Sequence, residues 1–551
     1  MSLLRLVLIW SLLAATLPAA EFRGTVVDAD SGKPVASRVY LQSSDGDWLF
    51  VESASKDGSA LAYREQWVPM ADSVEKHTTV SAHPFRIELD PGEYTLTVEC
   101  GKEYLTHSEK ITIGEEDVAK TIRLKRWVNL AERGWFSGET HVHRRIEELP
   151  NVMLAEDLNV AFPVTFWTIN AYEKPGLAPS PLRRQGPSPF GQRKDIGPNV
   201  VKIDPTHVFF PRNTEYEIFS VNGERIVQGA VFVLNHRSVF QEGMPPVARL
   251  AEKAHREGAL LDLDKHSWPW AMMMVPIAKV DLFELSNNSV WRTKFGFRRS
   301  SSPIAPYMKV ERDADGALTE LGWLIFGFEN YYSLLNCGFR MQPTAGTASG
   351  VHPVPLGHSR VYVHTGSKFE PDVWLNGLRK GRSFVTTGPM LFAMLNDAPP
   401  GEVFRQNDGQ QNYLLKIESI SDRPIDRIEV IRNGEILQTA EPIREFDAKP
   451  PFRSTFSLRI TLDESSWLAV RSFQKMPDGR FRFAHTAPWH IEVDDQPVKP
   501  RREEVEYLIS RVRDQIKRNR NVLRKNELAE FEKAQSIYEG ILKRAVDRKR
   551  R

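Results

Sequence analysis

Cysteine is scarce in this chain, which has two cysteines, Cys100 and Cys337, in 551 residues. Two cysteines so far apart in sequence do not make a disulfide framework. An excess of charge of one sign is also missing, since the formal net charge is +2. This balance gives no electrostatic case for binding nucleic acid. After residue 20 no run of 18 apolar residues occurs, so we expect no membrane-spanning helix in the rest of the chain.

Several common catalytic motifs are absent as well. The chain contains no phosphate-binding P-loop, no Gly-x-Gly-x-x-Gly, no Gly-x-Ser-x-Gly and no Cys-x-x-Cys. These absences argue against nucleotide-binding, serine-hydrolase and thioredoxin-like chemistry. The composition, with 41% hydrophobic and 26% charged residues, is that of globular proteins. A chain of this length predicts three or four domains.

The first 20 residues have the pattern of a secretory signal. Arg5 supplies a positive charge, residues 6–17 are mostly apolar, and Ala19-Ala20 offers a small-residue cleavage site before Glu21. We therefore expect an exported protein, periplasmic or extracellular, without a stable membrane anchor after cleavage. An uncleaved N-terminal anchor is the alternative.

The next hundred residues have the pattern of β-strands. An Asp-Ser-Gly turn at 30–32 and a Pro-Gly turn at 91–92 separate apolar stretches. After the second turn Tyr94, Leu96 and Val98 alternate with polar residues, which is typical of a half-buried strand. The segment is similar to the carboxypeptidase regulatory-like β-sandwich, and that resemblance implies a packing or binding role.

A histidine pair stands in the middle of the segment 134–144, GWFSGETHVHR. On an extended strand, residues two apart point to the same face. His141 and His143 would therefore direct two imidazoles at one point, and imidazole is the commonest metal ligand in proteins. Two exposed histidines on an edge strand are the alternative interpretation.

This segment, together with 336–350 and 381–389, resembles the CehA/McbA-type metallohydrolases of the polymerase-and-histidinol-phosphatase (PHP) superfamily. The resemblance covers roughly residues 127–392. It implies a distorted α/β barrel with a metal cluster at the carboxyl ends of its strands. It also implies hydrolysis of a phosphoester, amide or carbamate bond.

The resemblance implies further ligands and shows two departures. Glu217, Glu284 and His236 lie near positions where the family has metal ligands. The family often has Asp-His where this chain ends a strand at Asn170, and Asp after the glycine at Gly346. His352, or His358, is then a candidate replacement ligand.

A second group of candidates follows an apolar strand that begins at residue 259. Asp264 and Lys265 are candidate catalytic residues, and His266 is a candidate third histidine ligand, because functional side chains of α/β barrels lie where strands end. Asp262 shares a face with Asp264. A structural ion-pair cluster is the alternative. Trp268 and Trp270, which come next, are candidates for a substrate-binding wall.

The remaining chain is β-structure followed by helix. Residues 498–551 show apolar residues at helical spacing, and the stretch from 500 on has 16 Lys and Arg against nine Asp and Glu. No candidate ligand lies in this tail, so we expect its removal to leave the metal site intact. The predicted segments are a signal peptide (1–20), a β-sandwich (21–126), a PHP-like α/β barrel (127–392), a second β-sandwich (393–497) and a basic helical tail (498–551).

Together these features predict an exported hydrolase that uses metal-activated water. A divalent ion is the expected cofactor, with zinc preferred and manganese or iron as alternatives. A small molecule or a saccharide is the expected partner, and nucleic acid is not. The alternative function is a non-catalytic exported protein that binds carbohydrate or a cell-envelope ligand through a degenerate PHP-like domain.

Overall fold

The computed structural model describes residues 19–64, 75–177, 199–289, 295, 297–352, 354–407, 409–442 and 449–547. The predicted signal segment therefore falls almost entirely outside the described residues. Most of residues 171–200, a stretch rich in Pro and Gly, also lies outside the described residues.

The N-terminal region forms two sheets around its own hydrophobic cluster. One sheet has the strand order β10-β1-β7-β4 and the other β5-β6-β2-β8-β9, with β3 paired to β2. Phe22, Leu41, Phe85 and Leu96 are buried between the strands. The strands are β1 (Ala20–Asp28), β2 (Ser37–Ser43), β3 (Trp48–Leu49), β4 (Glu52–Ser53), β5 (Ala60–Tyr63), β6 (His77–Val80), β7 (Phe85–Leu89), β8 (Gly92–Glu99), β9 (His107–Ile113) and β10 (Val118–Leu124).

The central region alternates strands and helices, with short 3-10 turns at Ala131–Arg133 and Pro306–Met308. Its strands are β11 (Trp135–Val142), β12 (Val160–Pro163), β13 (Phe166–Asn170), β14 (Gly176–Leu177), β15 (Val201–Lys202), β16 (Val208–Phe209), β17 (Thr214–Ser220), β18 (Gly229–Leu234), β19 (Leu260–Leu263), β20 (Leu282–Ser286), β21 (Gln342–Ala345), β22 (Arg360–His364), β23 (Ser383–Thr386) and β24 (Met390–Leu395). Its helices are α1 (Leu149–Ala155), α2 (Val247–Arg256), α3 (Ala271–Ala278), α4 (Glu320–Asn336) and α5 (Pro371–Lys380).

The expected closed barrel is not seen among the described residues. β13, β14 and β17–β21 form a seven-stranded sheet, whereas β11 and β12 belong to a twelve-stranded sheet. Residues 160–167 form one mostly apolar run in the sequence, but they are split between these two sheets. β12 pairs with β11, and β13 pairs with β17. The central region is therefore built from strands of two sheets rather than from one ring.

Three parallel strands of the seven-stranded sheet carry helices between them. β19 pairs in parallel with β20, and β20 with β21. Helix α3 connects the first pair and α4 the second, as expected for strand–helix–strand units. The carboxyl ends of these strands consequently lie side by side, and polar side chains at those ends are brought together.

Helix α1 begins earlier than its sequence indicates. Asparagine is a favoured N-cap residue, which points to a start after Asn151, but the helix starts at Leu149 after the cap residue Glu148. Pro150 occupies the first turn, where its missing N–H has no helical partner to lose. The side-chain amide of Asn151 instead donates to the carbonyl oxygen of Thr79, at 3.0 Å. This bond ties the helix to the N-terminal sheets.

The C-terminal β-region is continuous with the central region. β23 pairs with β31, so the twelve-stranded sheet runs on through β30 to β27 and β28. A separate three-stranded sheet has the order β24-β26-β29. The added strands are β25 (Val403–Gln406), β26 (Gln411–Ser421), β27 (Arg427–Arg432), β28 (Glu435–Ala440), β29 (Phe452–Leu462), β30 (Ser466–Lys475), β31 (Phe481–Thr486) and β32 (Trp489–Val493).

Two helices end the described chain, α6 (Arg502–Asn519) and α7 (Lys525–Leu542). Their apolar faces join the main hydrophobic cluster, with Val505, Leu508 and Tyr538 fully buried. Among the described residues, no helix has the length and apolar character that crossing a bilayer requires. The tail is therefore a packed part of the core.

A half-buried ion pair of His207, which directly precedes β16, gives a pH-dependent prediction. Burial alone would lower the pKa of His207, but Asp157 and Asp204 outweigh it and raise the pKa to about 9. The imidazole Nδ1 lies 2.8 Å from Asp204 Oδ2. The stabilisation is present below the unfolded pKa of about 6.5 and is lost as the pH rises through 9.

We therefore expect His207→Asn to destabilise the protein by about 1–3 kcal/mol at pH 6. At pH 10 we expect a much smaller difference from the wild type. Urea unfolding at the two pH values measures this. An equal loss at both would contradict the ion pair's contribution.

Candidate metal centre

The two histidines of the Gly134–Arg144 segment converge as their spacing predicts. His141 lies on β11, and His143 follows its end. Backbone hydrogen bonds to residues 348 and 349 keep the chain extended there, with His143 N donating to Ser349 O at 2.8 Å. Both side chains consequently stay on one face. The Nε2 atoms of the two imidazoles lie 3.2 Å apart.

Three carboxylates approach these histidines from three other strands. Glu284 on β20 places Oε1 3.1 Å from His141 Nδ1. Asp264, which follows β19, places Oδ1 3.6 Å from the same nitrogen. Glu215 on β17 places Oε2 3.4 Å from His143 Nε2. Ligands that come from four strands can surround an ion, which a single strand cannot do.

The ligand atoms form three overlapping groups, in each of which they lie within 4.8 Å of one another. Asp264 and Glu215 each belong to two groups, and so does His141. The groups are His141 with His143 and Glu215, His141 with Asp264 and Glu284, and Glu215 with Glu217 and Asp264. We call these residues together the metal cluster.

The carboxylates of the metal cluster are buried without enough protein partners. Neither oxygen of Glu215 has a hydrogen-bond partner among the described residues, and nor does Oδ1 of Asp264. Both side chains are fully buried. An isolated buried carboxylate costs several kcal/mol unless it is neutralised or coordinates a cation. The residues present therefore fit a bound divalent ion.

The histidines are in the form that metal binding needs. Burial, with the nearby charges of Lys265 and His352, lowers the pKa of His143 to about 3. Burial likewise lowers the pKa of His141 well below its usual value. Both imidazoles are thus neutral at pH 7, and the neutral ring is the metal ligand.

Gly346 allows the loop after β21 to close over the cluster. A Cβ at this position would lie 2.1 Å from Glu284 Oε1 and 2.2 Å from His141 Cβ. No side chain fits at those distances, so glycine is required for the close approach. The residue after this glycine is Thr347, whose backbone N donates to Glu139 Oε1 at 2.7 Å.

Asp262 and Lys265 differ in their relation to the cluster. Asp262 accepts a hydrogen bond from Thr344 Oγ1 at 2.9 Å and belongs to none of the three groups. Lys265 is buried, and its ammonium contacts Asp264 Oδ2. Burial alone would lower the pKa of Lys265, but the charges of Asp264 and Glu217 raise it above its usual value. Lys265 is therefore a permanent cation at the cluster.

The predicted third histidine ligand does not reach the cluster. His266 packs among Phe283, Trp323 and Phe326, with ring centroids 5.2 to 5.8 Å away. Its Nδ1 lies 3.3 Å from the Asn330 amide. Strand β19 ends at Leu263. The regular alternation of side chains between two faces therefore does not continue to residue 266, and His266 does not lie beside Asp264. The placement predicted for His266 is corrected on this ground.

Of the other predicted residues, His352 lies near the metal cluster, and His236 and Trp268 contact other parts of the protein. His352 lies near both cluster histidines, and burial with the charge of Lys265 lowers its pKa to about 3, so it is neutral at pH 7 as they are. His236 lies away from the cluster, with Nε2 2.9 Å from Thr214 Oγ1. Trp268 is half-buried, with its ring 5.6 Å from that of Phe219.

Trp270 does not form the wall that its sequence position predicted. Its ring is fully buried against Gly229, where an added Cβ would lie 1.7 Å from the indole nitrogen. The space left by glycine is what accommodates the indole. Trp270 is thus a core residue at the start of α3.

Sequence reasoning missed Glu215, which was not among the candidate ligands. The signal was present, because Glu215 and Glu217 are two apart before an apolar strand and so share a face. Tyr216 between them points into the core. The same spacing argument that found the histidine pair would have found this pair.

Comparisons with known proteins give little beyond this geometry. No protein-family model matches the chain, and no curated protein matches it. A structural neighbour is the crystal structure of a two-domain protein containing a predicted PHP-like metal-dependent phosphoesterase, from Bacteroides vulgatus. The identity is 9%, the TM-score is 0.29, and the match covers 65% of this chain and 94% of that chain. A likeness this weak carries no argument about fold or function.

Proposed function

We propose that this chain is an exported, metal-dependent hydrolase of the CehA/McbA type, which cleaves a phosphoester, amide or carbamate bond. The observation that carries the proposal is the buried cluster of two neutral histidines and several carboxylates, in which Glu215 has no hydrogen-bond partner among the described residues. The secretory pattern of residues 1–20 supports export, and the sequence resemblance supports the bond types.

The residues divide the chemical tasks between them. A divalent ion bound here would lower the pKa of a bound water and polarise the scissile group. His141, His143, Glu215, Asp264 and Glu284 would hold that ion. Lys265 keeps a positive charge beside Asp264, where it would stabilise negative charge that develops on the substrate. We propose zinc as the ion, because the imidazoles of His141 and His143 are ligands that suit it.

Replacing Glu215 with glutamine tests the proposal, because the two side chains have the same shape. We expect Glu215→Gln to leave the metal-free protein as stable as the wild type or more so, since it removes a buried carboxylate without a partner. We expect the same change to weaken metal binding at least tenfold and to abolish hydrolysis of a panel of aryl phosphates, carbamates and amides.

Thermal unfolding with and without zinc, and elemental analysis, measure the two expected effects. Glu109→Gln is the matched control, because Glu109 lies on β9 and pairs with His107 and Lys120. A Glu215→Gln protein with wild-type zinc content and activity would overturn the proposal.

The second candidate function is a non-catalytic binding protein for a saccharide or a cell-envelope ligand. One observation favours it: Asn170, which stands where relatives have Asp-His, is bonded to Glu173 and Ser220 and not to the cluster. A protein that binds metal but hydrolyses no member of the panel would support this function.

A further inference from the structure

Lys265 stands inside the metal cluster although it cannot be a ligand while it is charged. It directly follows Asp264, and its side chain is only 8% exposed. The ammonium contacts Asp264 Oδ2 on one side and lies 5.5 Å from the centroid of the Trp268 ring on another. A buried ammonium in this place supplies a positive charge that does not depend on metal supply.

Asp264 divides its two oxygens between two cationic positions. Oδ2 contacts the ammonium of Lys265. Oδ1 has no hydrogen-bond partner among the described residues and lies 3.6 Å from His141 Nδ1. One oxygen is thus neutralised by the protein itself, and the other faces the histidine side of the cluster.

The three ligand groups differ in whether they contain a histidine. Two of them contain His141, and the third consists only of Glu215, Glu217 and Asp264. Lys265 interacts electrostatically with all three carboxylates of that third group, and also with Glu284, which belongs to a group with His141. The group without histidine is therefore the one in which every ligand is a carboxylate that attracts the ammonium.

We propose that the ammonium of Lys265 takes the place of a second metal ion at the group formed by Glu215, Glu217 and Asp264. The centre then binds one divalent ion, on the side of His141. Lys265 is thus the residue that sets the metal stoichiometry. The inference rests on the proposed metal-dependent function.

Lys265→Met tests the inference, because methionine keeps much of the aliphatic stem and removes the charge. Manganese(II) is the probe, and its bound amount is measured by equilibrium dialysis with elemental analysis. We expect one equivalent in the wild type, with the electron paramagnetic resonance signal of an isolated ion. We expect two equivalents in Lys265→Met, with the signal of a spin-coupled pair.

Lys253→Met is the matched control for the loss of a lysine charge. Its ammonium donates to Glu242 Oε2 at 2.8 Å and lies 4.6 Å from the centroid of the Phe240 ring, outside the metal cluster. This variant should bind one equivalent, as the wild type does. Lys265→Gln is a second variant that removes the same charge, in case the methionine variant does not fold.

The possible results separate the inference from the proposed function. A wild type that binds no manganese or zinc would overturn the proposed function and, with it, the inference. A wild type that binds two or more equivalents would overturn the inference alone, without any variant. A folded Lys265→Met or Lys265→Gln that still binds a single equivalent would also overturn it.

Discussion

Replacing His141 with alanine is expected to lower the bound metal from one equivalent to less than about a tenth of an equivalent at micromolar metal. His141 belongs to two of the three ligand groups and touches both His143 and Glu284. Loss of an outer-shell partner alone costs about 10–100-fold in metal affinity, so loss of a shared ligand should cost at least as much. Elemental analysis after dialysis measures the content.

The same variant should lose the stabilisation that metal gives. A ligand that binds only the folded protein, at 100 times its Kd, stabilises it by about 2.7 kcal/mol. We therefore expect zinc to raise the Tm of the wild type and to leave that of His141→Ala nearly unchanged. His107→Ala is the control, because His107 pairs with Glu109 in the N-terminal sheets. Wild-type metal content in His141→Ala would contradict the assignment of this residue.

Strand alternation predicted the histidine pair of the site. His141 and His143 share a face because the chain stays extended through residue 143. Glu217 and Glu284 came from the family resemblance, and both lie in the cluster. His266 was misplaced because β19 ends three residues before it. Alternation predicts the direction of a side chain only where backbone hydrogen bonds keep the chain extended.

The fold was predictable to a similar extent. Strands follow from apolar periodicity, as with β8 (Gly92–Glu99), in which Tyr94, Leu96 and Val98 are buried as their alternation predicted. How the sheets divide was not predictable, because β12 and β13 are adjacent in sequence yet pair with different strands. Pairing partners are chosen by contacts distant in sequence, which local patterns do not contain.

The C-terminal tail shows a similar limit of prediction from sequence. Its apolar spacing indicated helices, but not which parts of the protein those helices contact. Arg511 on α6 is buried and donates to the carbonyl oxygen of Trp268 at 3.1 Å. It also donates to the hydroxyl of Tyr507, at 2.9 Å, and that hydroxyl donates to the carbonyl oxygen of Pro303, at 3.0 Å. The helix thus holds the loop that carries Asp264 and Lys265. The expectation that the tail is dispensable for the metal site does not agree with these contacts.

Deleting residues 500–551 is therefore expected to abolish both the cooperative thermal unfolding of the protein and its metal binding. Burial of one valine, leucine or phenylalanine is worth about 1.5–3 kcal/mol, whereas whole domains are stable by about 5–15 kcal/mol. The deletion removes several such side chains from the main core, among them Val505, Leu508 and Phe531.

Two point variants on α6 separate this packing effect from any effect of the tail's charge. Leu508→Ala should lower the free energy of unfolding by about 2–5 kcal/mol, since Leu508 is fully buried. Arg513→Met should change it by less than about 0.5 kcal/mol, because Arg513 is 53% exposed and its nearest carboxylate, Glu539, is 3.8 Å away. Urea unfolding measures both variants, and elemental analysis measures the metal content of the deletion. A soluble deletion protein that unfolds cooperatively and holds one equivalent of metal would show that the body forms the cluster without its C-terminal helices.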